Sequence, residues 1–292
     1  MNLAAQESFY RWSPAACLRV SGEDSLTFLQ GQFTNDLQQG KNNGATYGLW
    51  LNQKGKVLAD SFVRKTSPQE AWIVSYFSPV AVIRERLEAY IIADDVVIED
   101  VTAATRGLTV FGANAAAELG LAAPAWNFPG RRTRDLQTEI IFPAEMEAAL
   151  TAKLADKMEL TSTQMETLRI TAGIPAVPAD LGPADLPNEG GLETDAISYT
   201  KGCYLGQEVM ARLKNLGQVR RRLLRVRGPG EPPERLTPVF QGARKAGELR
   251  STVREGTGWI GLALVSLVQL QREAGLALTA DGATVVHFAD TP

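Results

Sequence analysis

Short apolar runs separated by turn-forming clusters dominate the first hundred residues. Residues 16–20 read as a strand, and after Gly22-Glu23-Asp24 the side chains Leu26, Leu29 and Phe33 fall at i, i+3 and i+7. That spacing predicts one apolar stripe of a helix, with acids in the first turn where the helix dipole favours them. Residues 45–51 and 56–64 flank Asn52-Gln53-Lys54-Gly55, a tetrad that predicts a hairpin with glycine supplying a positive φ. On the second strand of that hairpin, period-two alternation puts Leu58, Asp60 and Phe62 on one face, so a carboxylate points with large apolar neighbours. Residues 71–77 form a further strand. Ser78-Pro79 then offers an N-cap and an N1 proline to a helix carrying Ile83, Leu87 and Tyr90, and 96–101 returns as a strand. The order β-α-β-β-β-α-β, without a long parallel βαβ run, predicts an α+β arrangement of sheet and helix layers.

Residues 107–173 repeat the alternation, with strands over 108–112 and 138–142 and helices over 145–157 and 161–172, the last ended by Gly173. The stretch 174–198 holds four prolines and three glycines among apolar residues, a pattern suited to a functional loop inside a compact body. From Val219 onward, runs over 223–226, 236–240, 248–253, 259–265 and 283–288 are divided by Gly and Pro clusters, which predicts a small antiparallel barrel. The expected division is 1–105, a first α+β domain; 106–217, a second; and 218–292, a C-terminal β-barrel.

Composition narrows the chemistry. With 45 % apolar and 22 % charged residues in 292, the chain matches a globular protein with a sizeable core. The longest nearly unbroken apolar run, 259–270, is too short to cross a hydrocarbon core needing about 20 residues. No basic region precedes an apolar stretch at the start, so no secretory signal is expected and a reducing compartment is. One histidine, His287, and two cysteines, Cys17 and Cys203, leave no inventory for a conventional zinc site or a four-cysteine cluster, and no metal is expected. His287 lies on a strand-like stretch and is read as a partly exposed strand residue. Neither GxGxxG before a helix nor GxxxxGK[ST] occurs. Although the formal charge is −3, residues 201–227 carry eight basic side chains against one acid, Glu208, a pattern suited either to a solvated face or to a polyanion such as RNA or a polyglutamyl tail.

The densest chemistry lies in Lys201-Gly202-Cys203-Tyr204-Leu205-Gly206-Gln207-Glu208. Val209, Leu213 and Leu216 predict a helix from about Leu205 to just before Gly217, so Cys203 precedes a helix N-terminus with Lys201 two residues upstream. Both features favour thiolate over thiol. Cys17, on a strand beside Leu18, is expected in the core.

These eight residues resemble the K-G-C-Y-x-G-Q-E signature of the YgfZ family, folate-binding proteins related to the glycine cleavage T-protein and connected with iron-sulfur cluster maintenance and tRNA modification. Gly31-Gln32-Phe33-Thr34-Asn35-Asp36 resembles the family's G-Q-x-T-N-D, and Gly55-Lys56-Val57-Leu58-Ala59-Asp60 its G-K-x-x-x-D hairpin. Leu168-Arg169-Ile170-Thr171-Ala172-Gly173-Ile174-Pro175 and Pro187-Asn188-Glu189 resemble further family segments. The resemblance implies ferredoxin-like α+β domains around a central tetrahydrofolate pocket, closed by the barrel. It implies Cys203, Lys201 and Asp60 as chemically active residues, and Asn35, Asp36, Arg169, Glu189, Tyr204, Gln207, Glu208 and Arg212 as cofactor-binding ones. Trp50, Phe62 and Tyr199 are candidate ring walls, for which core packing is the ordinary reading. The implied cofactor is tetrahydrofolate or a one-carbon derivative. The implied partners are iron-sulfur proteins or their assembly machinery and tRNA, with the chain a monomer in the cytoplasm, or in the mitochondrial matrix of a eukaryote. T-proteins carry GG-x-x-DD at the hairpin, whereas Ala59 replaces the first aspartate here. That difference favours an accessory protein over a folate-dependent aminomethyltransferase, the alternative reading; a third is an RNA-binding face on residues 201–227.

Overall fold

Alternating side chains along the early strands give one sheet two buried faces. In the computed structural model, which describes residues 7–38, 44–112, 117, 119–217 and 219–289, the first sheet has the order β3-β4-β5-β2-β6 and is antiparallel throughout. Its strands are β2 (Ala16–Ser21), β3 (Thr46–Leu51), β4 (Val57–Ser67), β5 (Glu70–Ser75) and β6 (Val97–Asp100). Leu18, Val20, Ala59, Val63 and Ile73 pack with Leu29 and Phe33 from helix α1 (Ser25–Gln32) and its end, and with Ile83 and Leu87 of helix α2 (Val80–Glu88). The intervening residues Cys17, Phe62 and Val74 face the other way, into a central core shared with Trp126, Phe128 and Ile141. Trp50 belongs to the helix side, fully buried with its indole Nε1 donating to Ser61 Oγ, so it walls no ligand space.

The second sheet, order β10-β1-β7-β9-β8, is built from β1 (Ser8–Trp12), β7 (Thr105–Phe111), β8 (Trp126–Pro129), β9 (Gln137–Pro143) and β10 (Met158–Glu159). Its membership crosses the expected boundary at 105, because the chain's first strand pairs antiparallel with β7 and parallel with β10. Between β9 and β10 the expected helix over 145–157 is shorter: a 3₁₀ turn at Ala144–Met146 leads into α3 (Glu147–Ala152). Helix α4 (Ser162–Ala172) matches expectation, with a Thr161/Gln164 capping box and Gly173 in the left-handed conformation at its end.

A third antiparallel sheet, order β12-β13-β14-β11-β15, curls around Val226, Leu249, Trp259 and Val265; its strands are β11 (Arg221–Pro229), β12 (Pro238–Gln241), β13 (Arg244–Glu255), β14 (Gly258–Ser266) and β15 (His287–Phe288). Bulges between Val239 and Phe240 and between Leu249 and Ser251 bend it into a half-barrel. His287 is exposed on β15, as expected.

Buried charge fastens this half-barrel to the body. Arg169 on α4 is 2 % exposed and reaches Asp180 at 2.7 Å, the Ile174 carbonyl at 2.6 Å, Ser251 of β13 at 2.9 Å, and Glu166. Arg221 of β11 forks onto Glu189, with both N···O distances 2.9 Å, and also reaches Asp185. Arg169 and Glu189, both expected to bind cofactor, are therefore occupied as ties between body and barrel. The basic residues of 201–227, read as either a solvated face or a polyanion site, are divided for the same reason. Arg221, Arg222 and Arg225 turn inward to Glu189, to Glu193 and the Asn188 carbonyl, and to the Thr171 carbonyl, respectively.

Replacing Arg169 by Met strands Asp180, which is 0 % exposed, without its guanidinium. Loss of one partner of a buried pair costs about 3–5 kcal/mol. Urea unfolding should show that loss of stability; a midpoint shift equivalent to under about 1 kcal/mol would mean that the tie is unimportant.

Candidate functional site

The motif segments, widely separated in sequence, are bonded into one unit. The Lys201 ammonium donates to the carbonyls of Gln30 (2.6 Å), Phe33 (2.7 Å) and Asn35 (3.0 Å), closing the C-terminal end of α1 where backbone acceptors run out of helical partners. The Thr34 hydroxyl donates to the Ala196 carbonyl, Asn35 Nδ2 to the carbonyls of Tyr47 and Asp195, Ser198 N to the Thr34 carbonyl and Leu205 N to the Gly31 carbonyl. The hairpin joins from the other side: a Cβ on Gly55 (φ +69°) would lie 2.9 Å from Val209, and one on Gly206 (φ +88°) 3.0 Å from the Asn52 carbonyl oxygen. Only glycine combines that conformation with that contact. Helix α5 (Gln207–Leu216) starts two residues later than expected and leans on the hairpin tip through Val209 and Met210.

Lys201 is thus a structural clamp rather than an activator aimed at Cys203. Burial pushes its ammonium down to about 8, and the Asp36 carboxylate opposes that shift. Cys203 is exposed on the segment before α5; Cys17 is buried, and desolvation pushes its thiol up to about 12. Of the other expected residues, Glu208 and Arg212 extend into solvent 3.9 Å apart and Gln207 begins α5. Tyr204 is buried, and its hydroxyl has no hydrogen-bond partner among the described residues.

Asp60 sits on the central face with Phe62, as alternation predicts, and is 4 % exposed. Its oxygens accept from Ser78 Oγ (2.8 Å), Tyr47 OH (2.9 Å) and Ser75 Oγ (3.1 Å). Ser78 therefore serves Asp60 and the Val177 carbonyl; the N-cap of α2 is Pro79, without a side-chain cap. Desolvation raises the Asp60 carboxyl above its ordinary range, with the hydroxyl donors and Arg131 pulling the other way. The Arg131 guanidinium stacks 4.3 Å from the Tyr47 ring centroid and meets Asp195 at 2.6 Å.

Two clefts flank this chain of groups. One, of about 580 Å³, runs between body and barrel; Arg131, Arg134, Arg222, Arg225 and Arg272 line it, with Asp195 as its one lining carboxylate and Phe288, Ile174 and Leu224 among its apolar walls. Beside Arg222, Asn188 Oδ1 and Glu193 Oε2 are buried acceptors without a partner. The other cleft, of about 620 Å³, gathers Asn35, Asp36, Thr46, Ser198, Tyr199 and Lys214, with the Lys214 ammonium 4.4 Å from the Tyr199 ring centroid. Expected residues Asn35, Asp36 and Tyr199 thus meet here, whereas Arg169, Glu189 and Trp50 lie in structural roles elsewhere. Sequence reasoning missed Tyr47, Arg131, Asn188, Glu193 and Asp195. The arginine-rich hairpin tip at 131–134 and the acids of the 174–198 loop were the available signals. Among the described residues no group of three His, Cys, Asp or Glu is placed to hold a metal ion, and no helix is long and apolar enough to cross a membrane.

Residues 10–128 match the GCVT N-terminal domain family, and residues 220–290 match the CAF17 C-terminal beta-barrel domain. The chain is 27 % identical to the human mitochondrial iron-sulfur cluster assembly factor IBA57, covering 97 % of this chain and 84 % of that protein. It is 28 % identical to the tRNA-modifying protein YgfZ of Serratia proteamaculans, covering 85 % and 82 %. The glycine cleavage system aminomethyltransferase T from Bartonella henselae shares the fold, with a TM-score of 0.79 at 16 % identity over 93 % of this chain and 81 % of that one.

Two measurements check the site. Because the folded Asp60 carboxyl holds its proton more tightly than the unfolded value of 3.8, this group lowers stability as pH rises from that value through its folded range. Asp60→Asn should flatten the fall in stability above the unfolded value in urea unfolding; an unchanged slope would remove Asp60 as its source. Alkylation of the native protein should modify one thiol per chain, at Cys203, with Cys17 reacting only after unfolding, as peptide mapping would report.

Proposed function

Starting from a chain that belongs to the YgfZ family, with its GCVT-type body and CAF17-type barrel, we propose that it is a reduced-folate-binding factor supporting iron-sulfur cluster assembly or repair, and through it tRNA modification. The arginine-lined cleft, with Asp195 on its wall, carries the reading. A reduced folate joins a flat pterin, with N–H donors along one edge, to a benzoyl-glutamate tail bearing carboxylates. Each part has a counterpart among the residues present. Asp195, the carboxylate in the cleft lining, is an acceptor for ring N–H groups. Arg134 and Arg272 offer fork-shaped donors to carboxylates. Folate bound there would supply a one-carbon carrier or a ligand-gated conformation; the chain's own residues bind and orient it.

An aminomethyl-transfer reading finds less support. Asp60 is enclosed by three hydroxyl donors with Tyr47 and Phe62 about it, so its carboxylate lacks an open approach, and Ala59 occupies the place of the other acid. Cys203, facing solvent, is suited to a thiol role toward a protein partner or its cluster, with iron-sulfur species as cargo.

Calorimetry with tetrahydrofolate should detect binding tighter than millimolar, and Asp195→Asn should weaken it about tenfold or more, the loss expected for a charge-assisted hydrogen bond. Cys203→Ser should keep that affinity yet fail to restore iron-sulfur enzyme activity in cells lacking the protein. Absence of binding at millimolar folate would overturn the pocket, and full rescue by Cys203→Ser would overturn the thiol role.

A further inference from the structure

Helix α4 also walls a separate pocket of about 360 Å³, whose lining includes Tyr10, Phe77, Arg132, Ser162, Met165 and Glu166. Arg132 lies among aromatic rings, its guanidinium carbon 3.8 Å from the Tyr76 centroid, 4.4 Å from Trp12, 5.5 Å from Tyr10 and 5.8 Å from Phe77. The residue is 6 % exposed, yet no described residue accepts a hydrogen bond from its guanidinium, and its Nε is buried without a partner. Glu139 Oε1 stands 3.4 Å from that Nε but accepts its hydrogen bond from Tyr76 OH at 2.8 Å. A buried guanidinium N–H without an acceptor is costly unless something else arrives to take it.

We propose that this pocket is a binding site for a small planar monocarboxylate, its carboxylate held by Arg132 and its ring lying against Phe77 and Met165. The size fits a single ring with a carboxyl group and falls near the lower end of small-molecule sites, about 300–1,000 Å³. Charge selects a monoanion over a phosphate: Glu139 already offsets Arg132 in part, and the pocket's Glu166 is held by Arg169. At the rim, Ser162 and Thr163 open an eleven-residue helix, where unpaired backbone N–H groups favour an anion. The Tyr10 hydroxyl, 3.3 Å from Ser162 Oγ, completes the polar edge. None of these residues lines the two clefts assigned above.

Benzoate is the probe, titrated into the full chain while the Trp12 indole N–H resonance is followed by ¹⁵N NMR. The expected result is a saturable shift, with benzamide, the neutral isostere, binding about tenfold more weakly or worse. The double variant R132M/E139Q removes both charges together and should abolish the benzoate response. A Trp12 resonance unmoved by benzoate, equal responses to benzoate and benzamide, or a response retained in the double variant each overturn the proposal. If the variant does not fold, the comparison of benzoate with benzamide in the natural sequence decides alone.

Discussion

One ammonium group organises the region on which the candidate function depends. Lys201 carries its charge to the end of helix α1 and satisfies three carbonyls there, at Gln30, Phe33 and Asn35. Backbone acceptors at a helix end need partners, and a buried cation needs acceptors; each requirement meets the other. With Lys201 fixed, the following chain is fixed too: Leu205 N reaches the Gly31 carbonyl, Tyr204 enters the core, and Gly206 starts α5 against the hairpin. The exposed position of Cys203 follows from the same anchoring, because its neighbours at 201 and 204 are the ones drawn inward.

A similar economy governs the arginines. The overall charge of −3 hides a body whose inner acids, Asp180, Asp185 and Glu189, draw in guanidinium groups from α4, β11 and β13. Burying such pairs gives little net stability, but it fixes which surfaces meet, since any other docking of the barrel leaves buried carboxylates unpaired. The arginines not consumed by those ties, Arg134 and Arg272 among them, line the cleft where barrel and body face each other. The ties and the cleft lining thus draw on one stock of positive charge.

Much of the fold was legible because local periodicity and burial agree. The hairpin around Asn52–Gly55, the placement of Asp60 with Phe62, and α4 with its Thr161 cap and Gly173 stop all follow from patterns within a dozen residues. What escaped depends on long-range pairing. Nothing local tells that residues 8–12 leave the neighbouring strand β2 to join 105–111, or that Ser78 would spend its hydroxyl on Asp60 instead of capping α2. Arg169 and Glu189 stand in motif-like segments, and their types suit ligand binding as well as they suit ion pairs. Only the positions of Asp180 and Arg221 distinguish the two. Arg131 and Asp195 escaped for the converse reason: each is an ordinary polar residue at a turn, and their pairing across 64 positions beside Tyr47 is a product of the tertiary fold.

Asp60 shows how burial and donors together set what a carboxylate can do. A group that takes a proton during transfer must touch the reacting atoms and hold a titration range matched to its task. Here the carboxylate is saturated by Ser75, Ser78 and Tyr47, and the donor Tyr47 is itself stacked under Arg131, which leans on Asp195 at the edge of the arginine cleft. A ligand that drew Asp195 or Arg131 toward itself would alter the field on Tyr47 and so on Asp60 without contacting either. In this arrangement the carboxylate lies at the enclosed end of a chain of contacts whose other end, Asp195, lies at the cleft. Enclosure of Asp60 and access at Asp195 are thus two ends of one run of contacts, set by the same tertiary fold.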